Sequence, residues 1–210
     1  MDRESSSSSW TPLEEVRPAA HAPGMGGSQQ RKASYADLEA LPEHVVGEII
    51  DGVLYASPRP ALPHAYAAGE LFFELMGPFG RGRGGPGGWQ LLIEPELHLG
   101  EDVLVPDIAG WRRERMPRTP RTAAATLAPD WVCEVLSPST RNLDRKAKLP
   151  VYAREGVRHV WLVDPNARTL EVFRLEGNHY LPMTPHSGQI RIRAEPFESF
   201  ELHLSLLWEE

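Results

Sequence analysis

The chain has 210 residues, of which 41% are hydrophobic and 24% are charged, a composition that is ordinary for one globular domain. No apolar run approaches the ~18 residues that a membrane-spanning helix needs, and the N-terminus lacks the charged and then apolar pattern of a secretory signal. The single cysteine, Cys133, excludes an internal disulfide framework and a zinc site built on cysteines. We therefore expect a cytoplasmic protein without a membrane anchor.

The formal net charge of −7 argues against broad affinity for nucleic acids, because phosphate binding depends on Lys and Arg. Any basic surface must therefore be local. Five arginines form the best such patch, although they are equally compatible with a solvated loop. They are Arg112, Arg113, Arg115, Arg118 and Arg121.

The first half of the chain predicts a tail and the beginning of a domain. Residues 1–33 are rich in Ser, Pro, Gly and Ala, so we expect a disordered tail followed by one domain over residues 34–210. The domain should open with a short helix, Tyr35–Leu41, and a β-hairpin that turns at Asp51-Gly52. Helical spacing of apolar side chains then predicts a helix over Ala65–Met76.

The rest of the chain is dominated by predicted strands. A flexible glycine-rich loop, Gly77–Gly88, should lead into two paired strands, Leu91–Leu99 and Val103–Trp111. The apolar runs Trp131–Leu136 and Val157–Val163 are typical of fully buried strands, and a helix should lie between them. The remaining predicted strands are Thr169–Leu175 and His179–Pro182, and the chain ends with Phe197–Leu204 and the apolar Leu206-Leu207-Trp208. Together these elements predict an α/β fold with a mixed sheet whose central strands are covered by helices.

Three acidic residues lie in strongly apolar surroundings: Glu48, Asp107 and Glu134. A carboxylate in a buried strand costs several kcal/mol unless it is paired or bound to a metal, so these residues predict a metal-binding cluster. Each also has an ordinary alternative. Glu134 can pair with a buried Arg or Lys, Asp107 can be a strand-end carboxylate, and Glu48 can be an exposed strand residue.

The predicted helix after Glu134 adds a cation to this region. Asp144, Lys148 and Tyr152 follow one another at helical spacing, so Lys148 can point back at the end of the preceding strand. Pro150 should kink the helix or delay its start close to this lysine. The alternative is that Lys148 is a solvated surface lysine, as most helical lysines are.

The ordered motifs between about Ser34 and Trp208 resemble the Uma-type family of restriction endonucleases, within the PD-(D/E)XK nuclease superfamily. The motifs are Glu48-Ile-Ile-Asp-Gly, Val105-Pro-Asp-Ile-Ala, Pro129–Thr140, Asp144-x-x-x-Lys148-x-x-x-Tyr152 and Gly156–Pro165. The resemblance implies a restriction-endonuclease-like core in which Asp107 and Glu134 bind a divalent metal and Glu48 completes the cluster. Oxygen ligands without Cys or His favour Mg²⁺ or Mn²⁺.

The resemblance also implies a role for Lys148, which would position or activate the attacking water. The superfamily's lysine two residues after the acid is absent, because Leu136 occupies that position, and the family pattern implies that the lysine has moved to the following helix. His64 is expected either to contact the phosphate or to be a surface histidine at a helix start.

The resulting hypothesis is a metal-dependent DNA endonuclease that hydrolyses phosphodiester bonds. We expect a homodimer, since cutting both strands needs two active sites. The negative charge and Leu136 keep open a nuclease fold without catalysis that serves as a DNA-binding or assembly module. Hydrolysis of another phosphoester, such as a nucleotide, is a third possibility.

Overall fold

The computed structural model describes residues 31–208. Most of the predicted tail, residues 1–30, lies outside this part of the chain. Residues 31–33 pack against the domain, because the Arg31 guanidinium pairs with Asp37 at 2.7 Å and the Ala33 N–H donates to the carbonyl oxygen of Gly52 at 2.8 Å. The contacts of the domain therefore begin a few residues before the predicted boundary at residue 34.

Fourteen strands and four α-helices occur among residues 31–208. The strands are β1 (Val45–Ile50), β2 (Val53–Pro58), β3 (Trp89–Ile93), β4 (Glu96–Leu99), β5 (Asp102–Leu104), β6 (Ile108–Arg112), β7 (Ala124–Ala125), β8 (Trp131–Val135), β9 (His159–Asp164), β10 (Thr169–Glu176), β11 (His179–Pro182), β12 (His186–Ser187), β13 (Arg191–Ile192) and β14 (Leu202–His203). The helices are α1 (Tyr35–Glu39), α2 (Leu62–Leu75), α3 (Arg141–Leu143) and α4 (Leu149–Arg154). Wider π-helical turns follow α2 and precede α4, at Met76–Gly80 and Asp144–Lys148, and a 3₁₀ helix covers Leu204–Leu207.

The strands divide between two large mixed sheets and one small sheet. The first sheet has the order β2-β1-β5-β4-β7, and only β4 and β7 are parallel in it. The second has the order β11-β10-β9-β8-β6-β3, with β12 added beside β10, and β8 and β9 are its parallel pair. Strands β13 and β14 form the small sheet. The predicted α/β class with a mixed-sheet core is confirmed, although the strands form two large sheets.

Strand β8 separates two hydrophobic cores. Trp131, Cys133 and Val135 face the core that contains α2 and the C-terminal segment. Val132 and Leu136 belong to the core on the other side, which contains residues of the first sheet and of α4. Because side chains alternate along a strand, Glu134 lies on the same side as Val132, toward the first sheet and α4.

Each strand of the predicted pair Leu91–Leu99 and Val103–Trp111 is divided into two shorter strands, and this is the main difference from the predicted topology. Leu91–Leu99 splits at Glu94, where φ is +44°, and Val103–Trp111 splits around Asp107. The halves next to the turn, β4 and β5, pair in the first sheet, while β3 and β6 pair in the second. Asp107 therefore lies where the chain passes from one sheet to the other.

Two smaller predictions also need correction. Helix α2 starts at Leu62 because Pro63 fits the first helical turn, where no N–H bond is lost. The glycine-rich loop is partly ordered, since Phe79 is buried against Phe197 with ring centroids 4.6 Å apart. In the C-terminal segment Phe197–Leu204 only Leu202–His203 forms a strand, β14, and Phe197 packs among aromatic rings. None of the helices in residues 31–208 is both long and apolar enough to cross a membrane.

Candidate active site

Four side chains that the sequence singled out line one cavity. Glu48 comes from β1, Asp107 from the crossing between β5 and β6, Glu134 from β8, and Lys148 from the π-helical turn before α4. The cavity has a volume of about 60 Å³ and also contains His64 in its lining. Its other lining residues are Val46, Ser57, Pro58, Pro60, Glu94, Val105, Val135, Thr140 and Asp144.

Lys148 lies at the centre of a buried carboxylate cluster. Its Nζ atom is 3.0 Å from Oε1 of Glu48, 3.2 Å from Oε2 of Glu134 and 3.2 Å from Oδ1 of Asp144. The lysine is only 4% exposed, so it is not the surface lysine of the alternative interpretation. The neighbouring Lys146 is exposed. The π-helical turn ends directly before α4, and Pro150 fits the first turn of that helix.

Glu48 is fixed by the backbone as well as by the lysine. The N–H of Val105 donates to its Oε1 atom at 2.8 Å. Glu48 is the fourth residue of β1 and is 4% exposed, so the alternative of an exposed position is wrong. Its carboxylate lies beside the chain segment that leads to Asp107.

Both oxygens of Asp107 lie close to groups from other elements. The N–H of Val135 donates to Oδ2 at 2.6 Å, and Nε2 of His64 lies 3.2 Å from Oδ1. Asp107 thus lies between two strands, which agrees with the alternative interpretation of it as a strand-end carboxylate. It also lines the same cavity as Glu48, Glu134 and Lys148. His64 is buried at the start of α2, which contradicts the surface alternative for this residue.

Sequence reasoning did not include two further members of this site. Tyr152 in α4 donates its hydroxyl hydrogen to Oε1 of Glu134 at 2.5 Å, and Asp144 contacts Lys148 as described above. The spacing of Asp144, Lys148 and Tyr152 placed all three on one helical face. That spacing could have identified them, because residues on the same face as a site lysine share its surroundings.

The site is electrostatically unbalanced. Burial raises the pKa of Glu134 well above its usual range and also raises the pKa of Glu48 and of Asp144, with Lys148 opposing each shift. Burial opposes the charge on Lys148, but the surrounding carboxylates together raise its pKa well above its ordinary value. Three carboxylates therefore share one ammonium group, and when ionised they leave uncompensated negative charge in a buried space.

This imbalance bears on the expected metal. The donors are carboxylate oxygens, which suit a hard divalent cation, and the excess negative charge would be neutralised by one. Within residues 31–208, however, no group of three or more His, Cys, Asp or Glu side chains is arranged to hold a metal ion. The carboxylate oxygens thus have the chemistry that suits Mg²⁺ or Mn²⁺. The ammonium of Lys148, however, lies among these oxygens and forms an ion pair with Glu134, as the alternative interpretation of Glu134 expected.

Three arginines of the basic patch make contacts within the protein. The Arg112 guanidinium lies 4.1 Å from the centre of the Trp89 ring, Arg113 donates to the carbonyl oxygen of Gly80, and Arg115 pairs with Asp130 at 2.9 Å. Much of the patch is therefore engaged in contacts within the protein. Arg118 and Arg121 are exposed in the same segment.

Comparison with known proteins supports the fold and the family. A crystal structure described as "a putative nuclease belonging to DUF820" from Anabaena variabilis superposes with a TM-score of 0.67 at 22% identity, and the match covers 84% of this chain and 97% of the other. No curated protein matches the chain significantly. The Uma2 family, described as "Putative restriction endonuclease", matches residues 33–206. The chain therefore belongs to the Uma2 family.

Proposed function

We propose that this protein is a metal-dependent DNA endonuclease that hydrolyses phosphodiester bonds. One observation carries the proposal: Glu48, Asp107, Glu134 and Lys148 come from four separate segments and line a single cavity. Buried carboxylates around a buried lysine are costly for stability, and perturbed groups in a cavity are characteristic of catalytic sites. Membership of the Uma2 family supports this assignment.

Asp107 and Glu134 are the proposed ligands of Mg²⁺ or Mn²⁺, with Glu48 completing the acidic cluster. When bound, such an ion polarises the phosphodiester and lowers the pKa of a coordinated water. Lys148 supplies a positive charge beside the carboxylates, where it can stabilise negative charge on phosphate oxygens or hold the nucleophile. Tyr152 holds Oε1 of Glu134, which leaves Oε2 facing the lysine.

The proposed substrate is DNA, and the proposed assembly is a homodimer. Hydrolysis joins the water oxygen to phosphorus and breaks the bond between phosphorus and the leaving sugar oxygen, so each event cuts one strand. A double-strand cut in one encounter then requires two sites. The molecular mass in solution, measured by light scattering with and without DNA, tests this part of the proposal.

Cleavage assays with matched variants test the function. Purified protein with Mg²⁺ or Mn²⁺ should nick or cut duplex, branched or single-stranded DNA. Asp107→Asn and Glu134→Gln should each lower the rate by at least about a hundredfold, since they remove charge from the site. Glu176→Gln, at an exposed position at the end of β10, is the control and should leave the rate unchanged. Failure of the wild-type protein to cut any of these substrates would contradict the proposal.

A second candidate is a catalytically silent DNA-binding or assembly module. The position of the Lys148 ammonium among three carboxylates favours it, because the lysine already neutralises part of their charge. Calorimetric titration separates the two candidates: an active site should bind Mn²⁺ in wild type and less tightly in Asp107→Asn, whereas a silent module should show no Mn²⁺ binding in either protein. Competition between DNA and nucleotides in the cleavage assay would distinguish hydrolysis of a smaller phosphoester.

A further inference from the structure

Helix α2 is apolar around most of its circumference, although the domain covers only one of its faces. The only charged side chains in it are Glu70 and Glu74. Four residues at helical spacing are buried in the core, namely His64, Ala67, Leu71 and Leu75. The opposite, outer face of α2 presents Leu62, Tyr66 and Phe73, which are 83%, 41% and 74% exposed. A helix that is apolar on all sides is normally buried on all sides, so this outer face indicates a partner.

The outer face of α2 is large enough to form a substantial part of a dimer interface. On the scale of about 150–250 Å² for a buried aromatic side chain, Leu62, Tyr66 and Phe73 together expose about 300–400 Å². Two copies that cover this face of each other would remove about 600–800 Å² from water through these side chains alone. A stable interface buries about 1,600 Å² in total, so these side chains would supply more than a third of it.

A groove beside the outer face can receive an aromatic side chain. It has a volume of about 680 Å³ and lies at the C-terminal end of α2, where Phe73 forms part of its wall. Phe72, Met76 and Phe200 supply further apolar surface to the groove. An exposed ring and a recess thus occupy the same patch. A two-fold interface requires this arrangement, because each copy presents the same surface to the other.

The charged residues of this groove are also complementary to a second copy. Glu74, Arg81 and Arg83 line it, and none of them forms an ion pair or a side-chain hydrogen bond within residues 31–208. About a two-fold axis, the glutamate of each copy can meet the arginines of the other. A nucleic acid would place its phosphates against Glu70 and Glu74 as well as against the arginines. The charges therefore favour a second copy of this chain over a nucleic acid.

The N-terminal segment is a less suitable occupant of the groove. The N–H of Ala33 donates to the carbonyl oxygen of Gly52, at the turn between β1 and β2 in the first sheet. Helix α2 instead packs in the core that contains Trp131 and Trp161 of the second sheet. The described part of the chain thus begins beside a different sheet from the one that α2 covers.

We propose that the outer face of α2 forms the interface of a homodimer, in which the Phe73 ring of each copy enters the groove of the other about a two-fold axis. The inference rests on the homodimer of the proposed function, but it does not require catalysis. His64, which lines the active-site cavity, lies on the same helix nine residues before Phe73, about 14 Å along the helix axis. Two active sites would thus lie near the interface, as coordinated cutting of both strands requires.

Substitution of Phe73 tests the interface directly. The wild-type protein should be a dimer at micromolar concentration in light scattering, and Phe73→Glu should raise the dissociation constant of the dimer at least about a hundredfold. The side chain faces solvent in the single chain, so the variant should remain folded, and thermal unfolding checks this. Leu181→Glu, at an exposed apolar position on β11, is the matched control and should leave the dissociation constant unchanged.

Charge reversal at the groove gives a second test that does not depend on Phe73. Glu74→Arg should place like charges opposite each other in the dimer, and so should Arg81→Glu combined with Arg83→Glu. Each of these two proteins alone should dimerise at least about tenfold more weakly than wild type. An equimolar mixture of them should form heterodimers with an affinity within about threefold of wild type, because opposite charges meet again. Native mass spectrometry identifies the mixed species.

Other results would overturn the inference in distinguishable ways. A wild-type protein that stays monomeric at high micromolar concentration would remove the dimer. Dimerisation that is unaffected by Phe73→Glu, or charge variants that do not recover on mixing, would place the interface elsewhere. Weaker DNA binding by Phe73→Glu with unchanged dimerisation would assign the outer face to nucleic acid. Absence of DNA cleavage by a dimeric wild-type protein would instead contradict the proposed function and leave the interface supported.

Discussion

The Nζ atom of Lys148 lies 3.2 Å from Oε2 of Glu134, and both side chains are almost completely buried. The two residues belong to different elements, β8 and the π-helical turn before α4. Their contact therefore forms only when the helical segment docks against the second sheet. This ion pair connects the stability of the domain to the integrity of the proposed active site.

Loss of the ammonium should destabilise the protein strongly. Lys148→Met keeps most of the side-chain volume but leaves three buried carboxylates without their cation, which should cost about 3–5 kcal/mol in the free energy of unfolding at neutral pH. Lys146→Met, at an exposed position two residues earlier, should change it by less than about 0.5 kcal/mol. Urea denaturation measures both, and equal effects of the two substitutions would contradict the buried cluster.

Removal of the Tyr152 hydroxyl should affect both stability and metal affinity. Tyr152→Phe keeps the ring in the core but leaves Oε1 of Glu134 without its donor, which should cost about 1–3 kcal/mol. Mn²⁺ affinity should fall as well, because the carboxylate loses its fixed orientation. Tyr66→Phe removes an equivalent hydroxyl from a ring that is partly exposed on α2 and serves as the control. An unchanged stability in Tyr152→Phe would show that the hydroxyl contributes nothing.

The stability of the domain should depend on His159 in mildly acidic solution. Burial lowers the pKa of His159 below its ordinary value of 6.5, with Glu195 opposing the shift. The unfolded chain therefore binds a proton more readily than the folded chain, so the contribution of His159 to stability is present above pH 6.5 and is lost as the pH falls. His159→Gln should lose less stability than wild type when denaturation is measured at decreasing pH below 6.5. Parallel curves for the two proteins would rule out this linkage.

Two glycines should respond to alanine in opposite directions. A Cβ atom at Gly110 in β6 would lie 2.9 Å from Cδ2 of Leu91 and 3.2 Å from the rings of Trp89 and Trp131, so Gly110→Ala should cost about 1–3 kcal/mol. Gly69 lies inside α2 with no atom within 4 Å of an added Cβ, so Gly69→Ala should stabilise the protein by about 0.4–1 kcal/mol. Thermal unfolding measures both changes, and a neutral Gly110→Ala would show that the sheets yield more easily than the contacts indicate.

Local chemistry allowed the hairpin and the helical face to be predicted. Asp51 and Gly52 adopt φ angles of +50° and +77°, which is the tight turn that an Asp-Gly pair favours between two strands. The helical spacing of Asp144 and Lys148 correctly placed these two residues next to each other. These features depend on residues that are close in sequence.

The division into two sheets could not be predicted in the same way. The strands that contain Leu91 and Val103 have continuous β patterns, and their interruptions depend on packing with distant elements. Glu94 is held at the crossing by its N–H, which donates to the carbonyl oxygen of Asp107 at 2.9 Å. The contact of His64 with Asp107 likewise follows from how α2 packs, which no local pattern specifies.

The crossing of the chain between the two large sheets has a consequence for biosynthesis. Glu48 is carried by one sheet and Glu134 by the other, while the lysine arrives with a later helical segment. A growing polypeptide that has emerged only as far as Leu136 contains all three predicted acidic ligands but not their cation. Under the proposed endonuclease function, a ribosome-bound or truncated chain of this length should therefore be harmless to DNA, and hydrolytic competence should appear only once the remainder has been synthesised and has docked.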